Sequence, residues 1–234
     1  MTSKSCVNTA LSYNIQTEDG ASHDYHFSCD NRLLSFKQDE KPDNIPWARL
    51  GHKQCPNCPL DANEVENCPL AISLSGLLRD WNNVISYTQV KLIVKNEQRT
   101  VIADTTAQKA LGSLIGLIIA TSDCPHTQFF RPMAQFHLPL ANSEETSFRA
   151  ISTYLLMLYF RKQDGQDVEF NLDGLSRIYK DVHEVNIHIK KRLLDAVSLD
   201  AALNAVAILD IFTLTSTDFL EDELKKLKQL FPNL

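Results

Sequence analysis

Four cysteines are each followed directly by proline: Cys55-Pro56, Cys58-Pro59, Cys68-Pro69 and Cys124-Pro125. Four thiolates are the complete ligand set of a tetrahedral zinc ion or of an iron–sulfur cluster. Composition does not explain the pairing: with 9 prolines and 6 cysteines in 234 residues, roughly 0.2 Cys-Pro steps would arise at random. Cys55 and Cys58 form a Cys-x-x-Cys pair, which sets two sulfurs on one tight turn. Cys68 follows a polar, acidic loop, Leu60 to Asn67, and Cys124 lies far downstream.

The prolines have a mechanical effect. A residue before proline is pushed out of the α region into an extended conformation, and proline itself has a fixed φ and no N–H. The cysteines are therefore stiffened before any metal arrives, which lowers the ordering cost of binding. The same prolines bear on the choice of metal. In common zinc ribbons a glycine after the second cysteine lets backbone N–H groups approach the sulfur, whereas here Pro59 takes that place. Cys-Pro is found instead at the last ligand of bacterial ferredoxin motifs. On this ground a [4Fe–4S] cluster stands slightly ahead of Zn2+. A haem-type Cys-Pro site, a redox dithiol and no cofactor are the remaining alternatives. His52 and His126 sit near the cysteines in sequence, and either could replace one of them as a ligand in a Cys3His site. An exposed loop histidine is the plainer reading of each. His137, in Phe136-His137-Leu138-Pro139, reads as a structural histidine.

The elements that must position these residues follow from periodicity. Alternation over residues 10–16, 24–30 and 33–36 predicts three short strands joined by turns at Glu18-Asp19-Gly20 and Asp30-Asn31. Cys29 falls on the apolar face with Tyr25 and Phe27, as a buried core thiol. A charged loop spans 38–43. Helical spacing of Ile72, Leu74, Leu77, Leu78 and Trp81 predicts a helix over 70–84, directly after Cys68. Two strands, 86–95 and 99–104, form a hairpin about Asn96-Glu97-Gln98. A helix over 107–122 ends just before Cys124-Pro125; its Gly112 and Gly116 let another element pack closely. An irregular connector with Pro132 and Pro139 occupies 129–142.

Asn142 and Glu145 form a helix-capping signature. The helix they start runs to about 162, with Phe148, Ile151, Leu155, Leu158 and Tyr159 on one face. Further helices are expected over 172–197, over 198–212 after Ser198, and from Thr217 or Asp218 with Leu220, Leu224, Leu227 and Phe231 inward. The fold class is thus α+β: an antiparallel sheet of about five strands in residues 1–105, carrying the cysteine loop 55–68, and a mostly helical region, 106–234. The two are expected to form one cooperative unit joined at the cysteine site.

Hydrophobic residues make up 44% and charged ones 22%, ordinary for a globular protein able to form a sizeable core. A net charge of −6 argues against a nucleic-acid footprint, which needs clustered Lys and Arg. Lys190-Lys191-Arg192 and Lys225-Lys226 read as solvated helix faces. No signal peptide and no membrane-spanning apolar run are visible, so the expected location is cytoplasmic. In that reducing compartment, clustered cysteines favour metal binding or catalysis over disulfides. A protein partner or a homo-oligomer is open.

No phosphate loop, nucleophile elbow or dinucleotide fingerprint occurs. Asp123, His126 and Arg131 near Cys124 could complete a Cys–His pair, and Cys55/Cys58 could act as a redox dithiol. The polar loop after Pro59 does not support the helix that a thioredoxin-like dithiol requires. The motifs Cys55-Pro-Asn-Cys58-Pro-Leu, Cys68-Pro-Leu-Ala, Ser122-Asp-Cys124-Pro and Phe136-His-Leu-Pro139 followed by Glu144-Glu145 resemble, over most of the chain, a family of uncharacterised bacterial proteins, a domain of unknown function. The resemblance implies a bacterial cytosolic protein. It implies no activity, and no catalytic residue carries over. The leading expectation is a structural or redox-sensing metal or cluster protein with Cys55, Cys58, Cys68 and Cys124 as ligands. The alternatives are a thiol or redox enzyme using Cys124 or the Cys55/Cys58 pair, and a metal-independent interaction protein working through its helical face.

Overall fold

The computed structural model describes residues 10–37, 45–81, 84–196 and 217–232. Cys6, the loop 38–43, the helix expected over 198–212 and the Leu220 side chain lie outside the described residues.

Five antiparallel strands form one sheet: β1 (Leu11–Thr17), β2 (Ser22–Asp30), β3 (Leu33–Lys37), β4 (Gln89–Asn96) and β5 (Thr100–Thr106), in the order β3-β2-β1-β4-β5. β1 is central because both neighbours pair with it, Tyr13 opposite Tyr25 on one side and Val94 on the other. The period of two puts Leu11, Tyr13, Ile15, Tyr25, Phe27, Cys29, Val90, Leu92 and Val94 on one buried face. The turns are set by local chemistry. Gly20 has φ 91, a left-handed conformation natural to glycine. Asn31 and Arg32, φ 47 and 66, make the two-residue left-handed link between β2 and β3.

Two helices cover the buried face. α1 (Pro69–Asp80) presents Leu70, Leu74, Leu77 and Leu78, and α2 (Ala107–Thr121) is buried on almost every side. A helix that is apolar all round belongs inside, and α2 touches β3, β4, β5, α1 and the short helix α3 (Arg131–Gln135). Trp81 closes the end of α1 onto the sheet: its Nε1 donates to the Tyr25 hydroxyl at 2.7 Å, and that hydroxyl donates to Asp80 at 3.1 Å.

In the connector expected to be irregular, 129–142, residues 136–142 hold no helix or strand, but the first part is ordered by the end of a 3-10 turn, Pro125–Phe130, and by α3. Pro132 does not break that helix because it sits in the first turn, where a backbone N–H has no helical partner to lose. α4 (Ser143–Gln163) starts on the full reciprocal capping box of Asn142 and Glu145. Its buried face differs from the expected one: Ser147, Ala150, Ile151, Tyr154 and Leu158 point inward, while Phe148, Leu155 and Tyr159 are exposed. α5 (Asp173–Ala196) and α6 (Thr217–Lys228) follow. On α6 Leu227 is buried, but Leu224 and Phe231 are more than a third exposed, against the expected inward set. Gly174 packs closely on Tyr154, since a Cβ there would collide with the Tyr154 hydroxyl. Among the described residues no helix is long and apolar enough to cross a membrane.

Candidate metal centre

The segment carrying Cys55 and Cys58 is an excursion closed at its base. Leu50 N–H donates to the Glu66 carbonyl at 2.8 Å, Cys68 N–H donates to the Ala48 carbonyl at 2.8 Å, and Arg49 bridges Asn67. The closure returns the chain so that Cys68 stands at the base of the loop that holds Cys55 and Cys58. Within the loop, Cys58 N–H donates to the Cys55 carbonyl at 3.0 Å, the turn implied by Cys-x-x-Cys. Lys53, at φ 46, turns the chain in just ahead of Cys55.

Cys68 and Cys124 occupy equivalent local positions. Cys68 is the N-cap of α1 at φ −64, ψ 118, and Cys124 is the N-cap of the following 3-10 turn at φ −67, ψ 123. Both are extended because a proline follows, and that proline takes the first helical position. The end of α2 thus delivers Cys124 as the start of α1 delivers Cys68. Cys124 is buried, Cys55, Cys58 and Cys68 are half-buried, and all four thiols are free.

Two of the four thiols have raised pKa values. The Cys55 thiol is pushed up to about 12, first by burial and then by the thiols of Cys68, Cys124 and Cys58. Cys124 is pushed up to about 11 by burial, with Cys68 and Cys58 adding to the rise. Backbone N–H groups of His126 and Thr127 donate to the Cys124 sulfur and oppose the shift. Proline therefore does not strip this sulfur of N–H donors, because the helical turn begun by Pro125 supplies them from the next two residues. Among the described residues no group of three or more His, Cys, Asp or Glu side chains is arranged to hold a metal ion.

A residue that the sequence placed among solvated lysines also belongs here. Arg192 is 1% exposed, and its guanidinium lowers the Cys55 pKa. It donates from Nη1 to the carbonyls of Trp47 (2.9 Å) and Arg49 (2.7 Å), and from Nη2 to that of Leu50 (2.8 Å). Its Nε has no hydrogen-bond partner, and it pairs with no carboxylate among the described residues. Lys190 and Lys191 beside it are exposed, as expected. The signal that marks Arg192 is its phase: it continues the buried stripe Val182, Val185 and Ile189, three residues beyond Ile189.

Side chains of α5 hold the loop from outside. His52 Nε2 lies 2.8 Å from Asp195, Lys53 Nζ 2.6 Å from the same carboxylate, and Lys53 also donates to the Lys191 carbonyl at 2.9 Å. Asp195 is held below the usual carboxylate range, by its hydrogen bond to Lys53 first and then by His52. Asn57 donates to the Asp181 carboxylate at 3.2 Å, and His188 Nδ1 lies 3.0 Å from the Lys53 carbonyl. His126 Nε2 is 2.7 Å from the Asn57 carbonyl, and its Nδ1 is 3.9 Å from Asp181. His52 and His126 thus fasten the cysteine loop to α5 and to the turn after Cys124. Arg131 pairs with Asp123 at 3.0 Å, and Glu145 is engaged in the helix cap. His137 lies apart, hydrogen-bonded to Tyr13, whose hydroxyl also meets Ser113 at 2.9 Å.

A family model covers residues 11–232, nearly the whole chain. This chain belongs to the DUF6901 family. The family is described as a domain of unknown function. Comparison with curated proteins and with solved structures finds no match. The DUF6901 domain of this chain therefore includes the whole sheet, the cysteine loop and the described helices.

Proposed function

We propose that Cys55, Cys58, Cys68 and Cys124 bind Zn2+ or a [4Fe–4S] cluster in a structural or regulatory centre of a cytoplasmic protein. One observation carries this reading: a fully buried guanidinium, Arg192, without a carboxylate partner among the described residues, acts on Cys55, whose thiol burial and the other three cysteines push up. Burying a lone cation costs several kcal/mol. Four thiolates around Zn2+ leave a net charge of −2, which offsets that cost. An all-sulfur donor set suits soft or borderline metals, and N–H groups donated to the Cys124 sulfur stabilise its thiolate form. When bound, the metal would supply a cross-link between the sheet half and the helical half. A cluster would in addition make that link sensitive to oxidants.

The raised pKa values of Cys55 and Cys124 weigh against the reading of either thiol as a nucleophile, which calls for a depressed pKa. The interaction-protein reading is favoured by a different observation, the exposed Phe148, Leu155, Tyr159 and Phe160 on α4.

Anaerobic purification followed by absorption spectroscopy and measurement of Fe, Zn and acid-labile sulfide tests the proposal. A brown protein absorbing near about 400 nm identifies a cluster, and a colourless protein with one Zn per chain identifies a zinc centre. Cys58→Ser with Cys124→Ser should lose the metal and melt earlier. No metal in the native chain, or unchanged metal content and melting temperature in the double variant, overturns it.

A further inference from the structure

A cavity of about 630 Å3 lies on the far side of α2 from the sheet, walled by α2, the segment after Phe130, the start of α4 and α5. That volume is in the range of pockets that take drug-sized organic ligands, about 300–1,000 Å3. Gly112 and Gly116 both line it. Their expected role was to let another element pack closely. Here two missing side chains on one face of α2 leave room, and Leu117, Leu140, Phe130 and Val182 make the wall apolar.

The polar groups at the cavity include neutral hydroxyl and amide side chains (Ser113, Thr146 and Asn186 among them), and its charged lining among the described residues is cationic. Arg149 lines it, with Nη2 donating to the carbonyls of Met133 and Phe136 and with no ion pair among the described residues. Burial lowers the Arg149 pKa, so this cation would gain from a counter-ion. The nearest acid in sequence, Glu145, raises the Arg149 pKa but has its carboxylate on the Asn142 N–H. Tyr179 is 8% exposed, lines the cavity, and its hydroxyl has no hydrogen-bond partner among the described residues. Lys109 lines the rim. His137 is held neutral by burial, at about 3, and its Nε2 is taken by Tyr13. Among the described residues no Asp or Glu lines the cavity, in a chain whose net charge is −6.

We propose that this cavity is a binding site for a small hydrophobic monocarboxylate, its hydrocarbon body against α2 and its carboxylate on Arg149 and the Tyr179 hydroxyl. An apolar wall supplies affinity without direction, and a guanidinium with a neighbouring phenol recognises one carboxylate. A polyanion would leave charge in an apolar wall. A neutral lipid would leave Arg149 and Tyr179 unsatisfied.

The test is calorimetric titration of the full chain with decanoate, and with decan-1-ol as the uncharged control. The expected result is saturable binding of one decanoate per chain, at least about tenfold tighter than decanol. Arg149→Met should weaken decanoate about tenfold or more while leaving decanol binding unchanged, which shows that the cavity itself survives. Tyr179→Phe should weaken decanoate about threefold or more. Gly116→Leu, which fills the space, should abolish binding of both ligands with the melting temperature of the chain retained. Absence of saturable decanoate binding to the native chain, equal affinity for decanol, or undiminished binding in Gly116→Leu overturns the proposal. None of these outcomes depends on metal at the cysteines.

Discussion

The chain has two hydrophobic cores of unequal weight. The larger lies between the sheet and α1 and α2, and it includes the fully buried Tyr13, Phe27, Leu74, Trp81 and Leu114. The smaller joins α4, α5 and α6 through Ala150, Ile151, Tyr154, Leu158, Leu175, Tyr179 and Leu227. α5 belongs to both, giving Val185, Ile189 and Leu193 to the first and Leu175 and Tyr179 to the second. A sheet with helices on one face buries apolar area in proportion to its whole surface, whereas two or three helices bury only stripes. α4 illustrates the difference by leaving Phe148, Leu155, Leu156, Tyr159 and Phe160 exposed. The helical part therefore relies on its attachments, and one of them is the clasp of the cysteine loop on α5.

That contrast can be broken or sharpened by measurement. The largest effect should come at the junction. Arg192→Met removes a buried charge and leaves the carbonyls of Trp47, Arg49 and Leu50 without their donor, at a cost of about 3–5 kcal/mol. Thermal unfolding reads this as a fall of roughly 6–20 °C for a chain of this size. If the guanidinium balances thiolate charge, the loss should shrink when Cys58→Ser and Cys124→Ser are already present, since coupled sites are not additive. Strict additivity would separate Arg192 from the thiols.

Next come the cores themselves. Leu114→Ala in the larger core should cost about 3–5 kcal/mol, and Leu158→Ala in the smaller about 2–3. Denaturant titration gives both values. Hydrogen exchange should show α4 opening at lower free energy than β1 or α2; equal protection in the two regions would dissolve the distinction.

Gly174→Ala probes the rigidity of the smaller core. Its new Cβ collides with Tyr154, which is buried and cannot simply swing aside, so about 1–3 kcal/mol of stability should be lost. A neutral outcome in chemical denaturation would mean that the α4–α5 contact yields easily.

The smallest effect concerns pH. Burial holds His137 at about 3, well below its usual 6.5. The unfolded chain takes up a proton near 6.5 that the folded chain refuses, so the associated stability is complete above about 6.5 and drains as pH falls toward 3. His137→Gln keeps a hydrogen-bonding partner for Tyr13 without titrating. Its stability, followed by denaturant midpoints, should fall less than that of the native chain on acidification, by on the order of 1 kcal/mol near pH 5.5. Parallel pH profiles would exclude the histidine as the cause.

The strands, the α1 and α2 helices and the Asn142–Glu145 cap were legible because each rests on short-range chemistry: period-two alternation, an apolar stripe or a side chain bonded to a backbone three residues away. The extended backbone at Cys68 and Cys124 was legible for the same reason, since the following proline imposes it. The inward face of α4 was not. Its helix carries apolar residues on more than one side, and only the position of α5 chooses between Tyr154 and Leu155. Pro132 was misleading because a proline in a first turn and a proline in a broken helix look alike in one dimension. Arg192 was hidden by its neighbours, Lys190 and Lys191, although its helical phase marks it as buried.

By itself the sequence determined four stiffened thiols, the order of the elements around them and the face of each strand, all properties that act over a few residues. Tertiary structure alone decided that α5 grips the cysteine loop and buries a guanidinium on the carbonyls of Trp47, Arg49 and Leu50. It alone decided that Gly112 and Gly116 border a cavity with Arg149 and Tyr179. Both depend on where distant segments meet, and that is set by how the two cores share α5, a balance of packing across the chain that no local pattern encodes.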